Sequence, residues 1–155
     1  MTLTSMKEAT GPLDELILSR HEDSWGFRLP DDYRRFLLQF NGGRPHPRYF
    51  EFKDHEGGSS VHSFLGFNED YNRNLVKKLQ MFKDRLPARF FPVAYDDGGN
   101  QICLSISGND RGKVYFWDHE LQADQTVGES PENADNIMLV ADSFEEFLNG
   151  LHESA

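Results

Sequence analysis

Apolar side chains recur every three to four residues in four segments of the chain, which is the spacing of one face of an α-helix. The clearest segment follows Pro30 and ends at "NGG", residues 41–43, and its predicted buried stripe is Tyr33, Phe36, Leu37 and Phe40. Proline suits a first helical turn, and Asn and Gly adopt the left-handed backbone that ends a helix. A phosphate-binding role for the glycine pair is disfavoured, because phosphate loops precede a helix N-terminus. We therefore predict a helix that serves the core.

The other three helices are predicted from the same spacing and from residues that cap helix N-termini. Their predicted buried stripes are Leu13, Leu16 and Ile17 after Pro12; Tyr71, Leu75, Leu79 and Phe82 after Asn68; and Phe144, Phe147, Leu148 and Leu151 after Asp142 or Ser143. Ser143 and Glu146 also have the spacing of a capping box, in which the two residues satisfy each other's backbone N–H groups.

From residue 90 the hydrophobic period shortens to two, which is typical of β-strands. "FFPVAY", "QICLSIS" and "KVYFWDHE" are separated by the turn sequences "DDGGN" and "GNDRG", and "NIMLVA" follows later. This order predicts an antiparallel meander, and two further strands are expected near residues 49–52 and 61–67. The residues that we expect to be buried are Phe36, Leu37, Phe40, Ile102, Leu104, Val114, Phe116, Phe147 and Leu148. Helices flanking an antiparallel sheet define an α+β fold.

Length and composition favour one domain spanning residues 1–155, with a core from about 11 to 151, in a chain that contains thirteen Phe. No apolar run approaches the roughly 20 residues of a membrane span, and the N-terminal sequence lacks the apolar stretch of a secretory signal. The single Cys103 excludes an internal disulfide and lies in an apolar run, so we expect a buried thiol. These observations predict a cytoplasmic protein without a membrane partner.

The formal net charge is −10, and the imbalance lies at the C-terminal end of the sequence. Residues 1–117 contain 16 basic and 16 acidic side chains, whereas residues 118–155 contain ten acidic ones and no Lys or Arg. Nucleic acid is a poor partner for such an end, because phosphate binding requires a basic surface. Charge alone favours a solubilising surface. The functional alternative is an interface for a basic protein, whose encounter opposite charge would accelerate.

The order of these landmarks resembles the SUKH superfamily, the SMI/KNR-type group. The resemblance rests on the Leu29-Pro30 entry to "DDYRRFLLQFNGG", on "FFPVAYDDGGNQICLSI", on "GKVYFWDHE" and on "SFEEFLNGL". The group includes fungal regulators of cell-wall synthesis and bacterial immunity proteins against polymorphic toxins. The resemblance implies the α+β fold predicted above, no catalytic residues and a function in protein binding.

An enzyme is the alternative to a binding protein, but the usual enzyme motifs are missing from the sequence. "GNDRGKV" is too short for a phosphate loop, no serine elbow or H-E-x-x-H sequence occurs, and "DDGGN" lacks the ligand spacing of a calcium loop. The strongest metal candidate is "WDHE", where His119 would need His46, His55 or His62 nearby. The preferred hypothesis has no catalytic residue, metal or cofactor. A small hydrolase or metal-dependent enzyme with an unannounced site is the alternative.

The predicted interface lies where the first turn of the meander meets the end of "KVYFWDHE". If the strands pair in sequence order, the carboxylates of residues 96–97 and 118–120 share one edge of the sheet, with an aromatic residue as an apolar anchor. The residues that we expect to contact a partner are Asp96, Asp97, Tyr115, Trp117, Asp118 and Glu120. The expected partner is a basic toxin domain, such as a nuclease. The sequence leaves the oligomeric state open.

Overall fold

The structure is a computed structural model that describes residues 3–119 and 136–153. The four α-helices are α1 (Glu15–Trp25), α2 (Asp31–Phe40), α3 (Leu75–Met81) and α4 (Phe144–Asn149), and a short 3-10 helix spans Tyr71–Arg73. The strands are β1 (Ser5–Lys7), β2 (Arg44–His46), β3 (Tyr49–Glu51), β4 (Gly58–Ser60), β5 (Ser63–Phe64), β6 (Phe90–Tyr95), β7 (Gln101–Ser105), β8 (Val114–Trp117) and β9 (Ile137–Ala141). The fold is α+β, as predicted.

A five-stranded antiparallel sheet is the centre of the molecule, with the order β5-β6-β7-β8-β9. Neighbouring strands follow one another in sequence, which confirms the predicted meander. Two antiparallel ribbons, β1-β2 and β3-β4, lie outside this sheet. The strand near residues 49–52 was predicted, but β1, β2 and β4 were not. Each has only three residues, too few for a periodic pattern to indicate a strand.

Both faces of the central sheet are covered by apolar side chains. On one face, Ile102, Leu104 and Val114 belong to the main core, which also contains Tyr33, Phe36 and Leu37 of α2 and Phe144, Phe147 and Leu148 of α4. On the other face, Cys103 and Trp117 pack with Phe82, Leu86 and Phe90 in a second, smaller cluster. Eight of the nine residues predicted to be buried are buried, and Phe40 is half-buried against the main core.

The predicted buried face of α1 is wrong. Leu16 and Ile17 are 65% and 42% exposed, whereas Leu18 and Glu22 are buried. The helix begins later than expected because Asp14 caps it, accepting a hydrogen bond from the Leu16 N–H at 2.8 Å. Its inward face carries an ion pair: Glu22 accepts bonds from the Leu29 N–H at 2.9 Å and from Arg34 Nε at 3.0 Å. Hydrophobic spacing cannot indicate a helix face that includes a buried charge.

The third helix is shorter than predicted. Asn74 caps α3 by accepting a hydrogen bond from the Lys77 N–H at 3.0 Å, so Asn68 is not its N-cap. Tyr71 lies in the preceding 3-10 helix and is 61% exposed, although the sequence placed it on a buried stripe. Ser143 caps α4 as predicted, because its Oγ accepts a bond from the Glu146 N–H at 3.0 Å. The return bond differs from a capping box, since Glu146 Oε2 accepts from the N–H of Asp142, the residue before the cap, at 2.8 Å.

Asn41 ends α2 and also joins it to the chain before α3. Its backbone is left-handed, with φ 49°, as the sequence predicted. Its buried amide donates to the carbonyl oxygen of Phe67 at 3.0 Å and accepts from the Phe67 N–H at 2.7 Å. Gly66 passes so close that a Cβ there would lie 2.3 Å from the Asn41 carbonyl oxygen. The helix end is therefore a packing junction.

Candidate partner-binding edge

The turn of residues 96–100 and residues 118–119 meet at one end of the central sheet, and we call this surface the acidic edge. The β6–β7 hairpin places the turn there, and Gln101 opposite Trp117 places the end of β8 beside it. The structure thus brings together three predicted site residues, Asp96, Asp97 and Asp118. Glu120 lies outside the described residues.

Asp96 is the buried organiser of the turn, with only 6% of its surface exposed. One carboxylate oxygen accepts hydrogen bonds from the N–H groups of Gly98 and Asn100, at 3.0 and 2.8 Å. The other accepts from Ser59 Oγ at 2.8 Å and from the Asn100 amide at 3.1 Å. Four donors satisfy this carboxylate, so it supports the edge from within and is not available to a partner.

Asn100 connects the turn to the end of β8, a role that the sequence did not reveal. Its side-chain oxygen accepts a hydrogen bond from the His119 N–H at 3.1 Å and lies 2.6 Å from His119 Nδ1. The Asn100 amide donates to Asp96, so one residue fixes both parts of the edge. The sequence feature that indicates this turn is "DDGGN", because Asp and Asn near glycines are typical of turns in which side chains bond to the backbone of the turn.

Asp97 is the exposed carboxylate of the turn, with 60% of its side chain accessible. Its partner is Arg48, whose guanidinium lies 3.4 Å from one carboxylate oxygen. The same guanidinium donates to Ser60 Oγ at 3.2 Å and lies over the ring of Tyr49, 4.9 Å from its centroid. An exposed pair of this length contributes little to stability, so the Asp97 charge remains accessible to solvent and to a partner.

Asp118 is half-buried at the end of β8, where the chain leaves the described structure. Its N–H donates to the carbonyl oxygen of Asn136 at 2.9 Å, and the Asn136 amide donates back to the Asp118 carbonyl oxygen at 3.1 Å. Asp118 and Asn136, which lie on either side of residues 120–135 in the sequence, are therefore joined at the acidic edge. That segment contains five acidic residues and no Lys or Arg.

The two aromatic residues predicted as anchors do not lie at the exposed surface of the edge. Trp117 is 1% exposed and packs edge-on against Phe82, with the Arg85 guanidinium 5.3 Å from its ring. Tyr115 is half-buried, and its hydroxyl donates to Asp110 Oδ2 at 2.8 Å, beyond the opposite end of β8. Alternation did place both on one face of the strand, but the segment containing Phe82 and Leu86 covers that face.

The concentration of acids at the end of the sequence is partly neutralised in space. Lys53 lies between Asp142 and Glu146, with N–O distances of 2.6 and 3.0 Å. These contacts lower the pKa of both carboxyls, chiefly through the hydrogen bond from Lys53, and they raise the pKa of Lys53. The carboxylate of Glu153 lies 3.2 Å from His46 Nε2. Three of the ten acidic residues of 118–155 therefore have a basic side chain beside them.

The described residues offer little for catalysis. Within residues 3–119 and 136–153, no three His, Cys, Asp or Glu side chains are grouped as a metal site. Cys103 is buried in the sheet, and burial raises the pKa of its thiol, which opposes formation of a nucleophilic thiolate. In the same part of the chain, no helix is long and apolar enough to cross a membrane.

The fold and the candidate site define a class: an α+β protein built on an antiparallel meander, with a hydrogen-bonded acidic edge at one end of the sheet. The sequence matches the SMI1 / KNR4 family (SUKH-1) over residues 12–150, nearly the whole described chain. The protein therefore belongs to this family. It is also similar to the SPbeta prophage-derived uncharacterized protein YokK of Bacillus subtilis (strain 168), with 32% identity over 151 residues, covering 86% of this chain and 72% of the relative.

Proposed function

We propose that this protein is a non-enzymatic immunity protein that neutralises a cognate toxin by binding it through the acidic edge. Family membership supports a function in protein binding, and the immunity proteins of the SUKH group support the more specific role. The proposed contacts are the exposed carboxylate of Asp97 together with Asp118 and Glu120. In this proposal Asp96 shapes the turn and Trp117 supports it from the core.

The observation that carries the proposal is that the exposed carboxylate of Asp97 lies on a turn fixed by hydrogen bonds. Asp97 follows a carboxylate that is fixed by four hydrogen bonds, and Asn100 ties the same turn to His119. A rigid loop loses little conformational entropy when it binds, so more of the interaction energy appears as affinity. A carboxylate presented in this way suits a basic surface such as the substrate-binding face of a nuclease.

Binding at such a face would block the toxin's own substrate. A nuclease needs a basic surface for the phosphate backbone, and the carboxylates of the acidic edge would occupy that surface. Inhibition then requires no chemistry from this chain. The expected partner is therefore a protein with a positively charged active face.

The first experiment identifies the partner. The product of the neighbouring gene is purified, mixed with this protein and passed over an affinity resin, and growth is measured when the toxin is expressed with and without it. We expect a stoichiometric complex and restored growth. The Asp118→Lys/Glu120→Lys variant should bind more slowly, while a variant with Asp23→Lys on α1 should bind normally.

Asp23 is a suitable control because it is exposed and lies far from the edge. The end of α1 packs through Trp25 on Phe91, at the opposite end of β6 from the turn. A complex that forms equally fast with the Asp118→Lys/Glu120→Lys variant at low salt would exclude these residues as the docking site. Rescue of growth without a detectable complex would contradict neutralisation by binding.

A further inference from the structure

A second surface has the opposite charge and is not explained by the acidic edge. A cleft of about 470 Å³ is lined by Ser5, Lys7, Arg44, Pro45, His46, Arg48 and His62. Five of these seven residues are Lys, Arg or His and none is acidic, although the chain has 26 acidic residues against 16 Lys or Arg and 6 His. We call this surface the basic cleft. Its volume is within the range of small-molecule sites.

The β1-β2 ribbon forms one wall of the cleft and aligns its cations. In this antiparallel pair, Lys7 is directly opposite Arg44, and Ser5 is directly opposite His46. Directly opposite residues project from the same face with their Cβ atoms about 5 Å apart. Met6 and Pro45 alternate with these residues along the strands, and Pro45, although it borders the cleft, is buried. The cleft wall is thus the charged face of an amphipathic ribbon.

The register that brings the two cations together is fixed by the backbone. The Thr4 N–H donates to the His46 carbonyl oxygen at 2.8 Å, which anchors the start of the ribbon. Gly43 has φ +128°, and a Cβ there would lie 2.9 Å from the Lys7 carbonyl oxygen. A side chain at this position would push the strands apart, so only glycine permits this close approach.

Lys7 and Arg44 form a like-charge pair, which destabilises a ribbon when both residues lie directly opposite. Neither has a carboxylate within ion-pair distance among residues 3–119 and 136–153, although Glu8, next to Lys7, pairs with Arg73. At the rim, Arg48 pairs with Asp97 and His46 lies against Glu153. Within the part of the chain that the structure describes, Lys7 and Arg44 are therefore two exposed cations on opposite strands without a compensating carboxylate.

We propose that the basic cleft binds the phosphate group of a small molecule, up to the size of a nucleotide. Two cations on directly opposite residues of the ribbon suit a group carrying close to two negative charges, such as a phosphomonoester or a diphosphate. Arg44 offers a planar fork for two phosphate oxygens, and Lys7 adds a mobile point charge. A nucleic acid is a poorer occupant, because Asp97 and Glu153 border the cleft and would repel a polymer that extends past the rim. The site does not rest on the proposed toxin interface, although Arg48 lines the cleft and pairs with Asp97 of the acidic edge.

The test uses the whole chain and measures binding of inorganic pyrophosphate and of a nucleoside diphosphate by calorimetry and by amide chemical shifts. We expect saturable binding of both, with shifts concentrated at residues 5–7, 44–48 and 62. The Lys7→Gln/Arg44→Gln variant should bind at least about tenfold more weakly, since it loses two charge-assisted contacts. The matched control is Arg20→Gln/Lys83→Gln, which removes the same charge from exposed positions outside the cleft and should bind normally.

Several outcomes would overturn the proposal. These are the absence of saturable binding, equal weakening in the control variant, and equally tight binding of citrate or sulfate, which would indicate an unselective anion surface. Tighter binding of a single-stranded oligonucleotide than of the diphosphate would instead indicate a nucleic-acid site. Thermal unfolding of each variant shows whether it is folded. A folded cleft variant that still neutralises the toxin would separate the two sites.

Discussion

Asn41, Asp96 and Asn100 show how single polar residues determine the candidate site and its support. Each uses a short side chain to satisfy backbone groups that the turns leave open. The sequence predicted that residues 41 and 96–100 lie at a helix end and a turn, because Asn, Asp and Gly mark such places. It could not predict that Asp96 is buried, because one of its four donors is Ser59, 37 residues earlier.

At the residue scale, we predict that Asn41→Ala is strongly destabilising. The substitution removes two hydrogen bonds and leaves the N–H and carbonyl groups of Phe67 without their partner. Lost hydrogen bonds and partly buried groups left without a partner cost about 2–4 kcal/mol together. Urea denaturation measures the change, with Gln39→Ala as the control, since Gln39 is exposed on the same helix. A loss below about 1 kcal/mol would mean that the junction is not important for stability.

Also at the residue scale, the Asp110 carboxyl should affect the stability of the protein at low pH. Partial burial acts to raise the pKa of Asp110, but hydrogen bonds from Ser105 and Tyr115 and the charge of Arg89 prevail and lower it below its ordinary value of 3.8. A carboxyl with a depressed folded-state pKa contributes stability above its unfolded pKa, and this contribution is lost as the pH falls through the folded value. Asp110→Asn should therefore reduce stability near neutral pH and flatten its decline between about pH 5 and pH 2.

The measurement for Asp110 is the free energy of unfolding as a function of pH. Asp23→Asn is the control, because Asp23 is exposed, and it should retain the slope of the parent. A parallel curve for Asp110→Asn would show that this carboxyl does not contribute to acid unfolding. Lys53 and its two carboxylates contribute in the same pH range in every variant, so the comparison isolates Asp110.

At the scale of elements, hydrophobic periodicity was sufficient to predict the buried face of a helix or strand where that face is purely apolar. The stripe of α2 and the alternation in β7 and β8 were predicted because Phe36, Ile102 and Val114 repeat with the period of their elements. In α1 the same reasoning selected the side of Leu16 and Ile17, whereas the inward face includes Glu22, which forms a buried ion pair with Arg34 of α2. The hydrogen bond with Glu22 raises the pKa of Arg34 and outweighs burial, which acts to lower it.

A pair of leucines tests the corrected face of α1. Leu18→Ala should destabilise the protein by about 2–5 kcal/mol, because Leu18 is fully buried. Leu16→Ala removes the same atoms from a side chain that is 65% exposed, and we expect a change within about 0.5 kcal/mol. Chemical denaturation of both variants gives the comparison. Equal losses, or a larger loss for Leu16→Ala, would contradict the orientation of this helix.

At the scale of the whole molecule, local connections were predictable and distant ones were not. The meander follows from short turns, so its order could be deduced from sequence. The ribbon β1-β2 pairs residues 5–7 with residues 44–46, and no local pattern indicates such a pairing. The pairing of charges was also not predictable from local sequence. The acidic residues of 118–155 are contiguous in the sequence without any Lys or Arg, but Lys53 and Lys113 approach Asp142 in the folded chain.

The acidic edge and the basic cleft are neighbouring surfaces, and the ion pair between Asp97 and Arg48 lies where they meet. Arg48 lines the cleft and also contacts Asp97 at the edge. A chain with net charge −10 therefore has a distinct positive site next to its proposed negative interface. The net charge alone indicates neither surface, because each surface depends on how the backbone aligns a few side chains.

The association rate of the Asp97→Lys variant with the cognate toxin tests the central claim most directly. Asp97 is the exposed carboxylate of a turn whose shape does not depend on it, so the change alters charge at the edge and leaves the turn intact. At low salt we expect association about tenfold slower than for the parent, and a smaller difference when salt screens the charges. Asp23→Lys should associate like the parent. If Asp97→Lys associates as fast as Asp23→Lys at low salt, the toxin does not dock on the acidic edge.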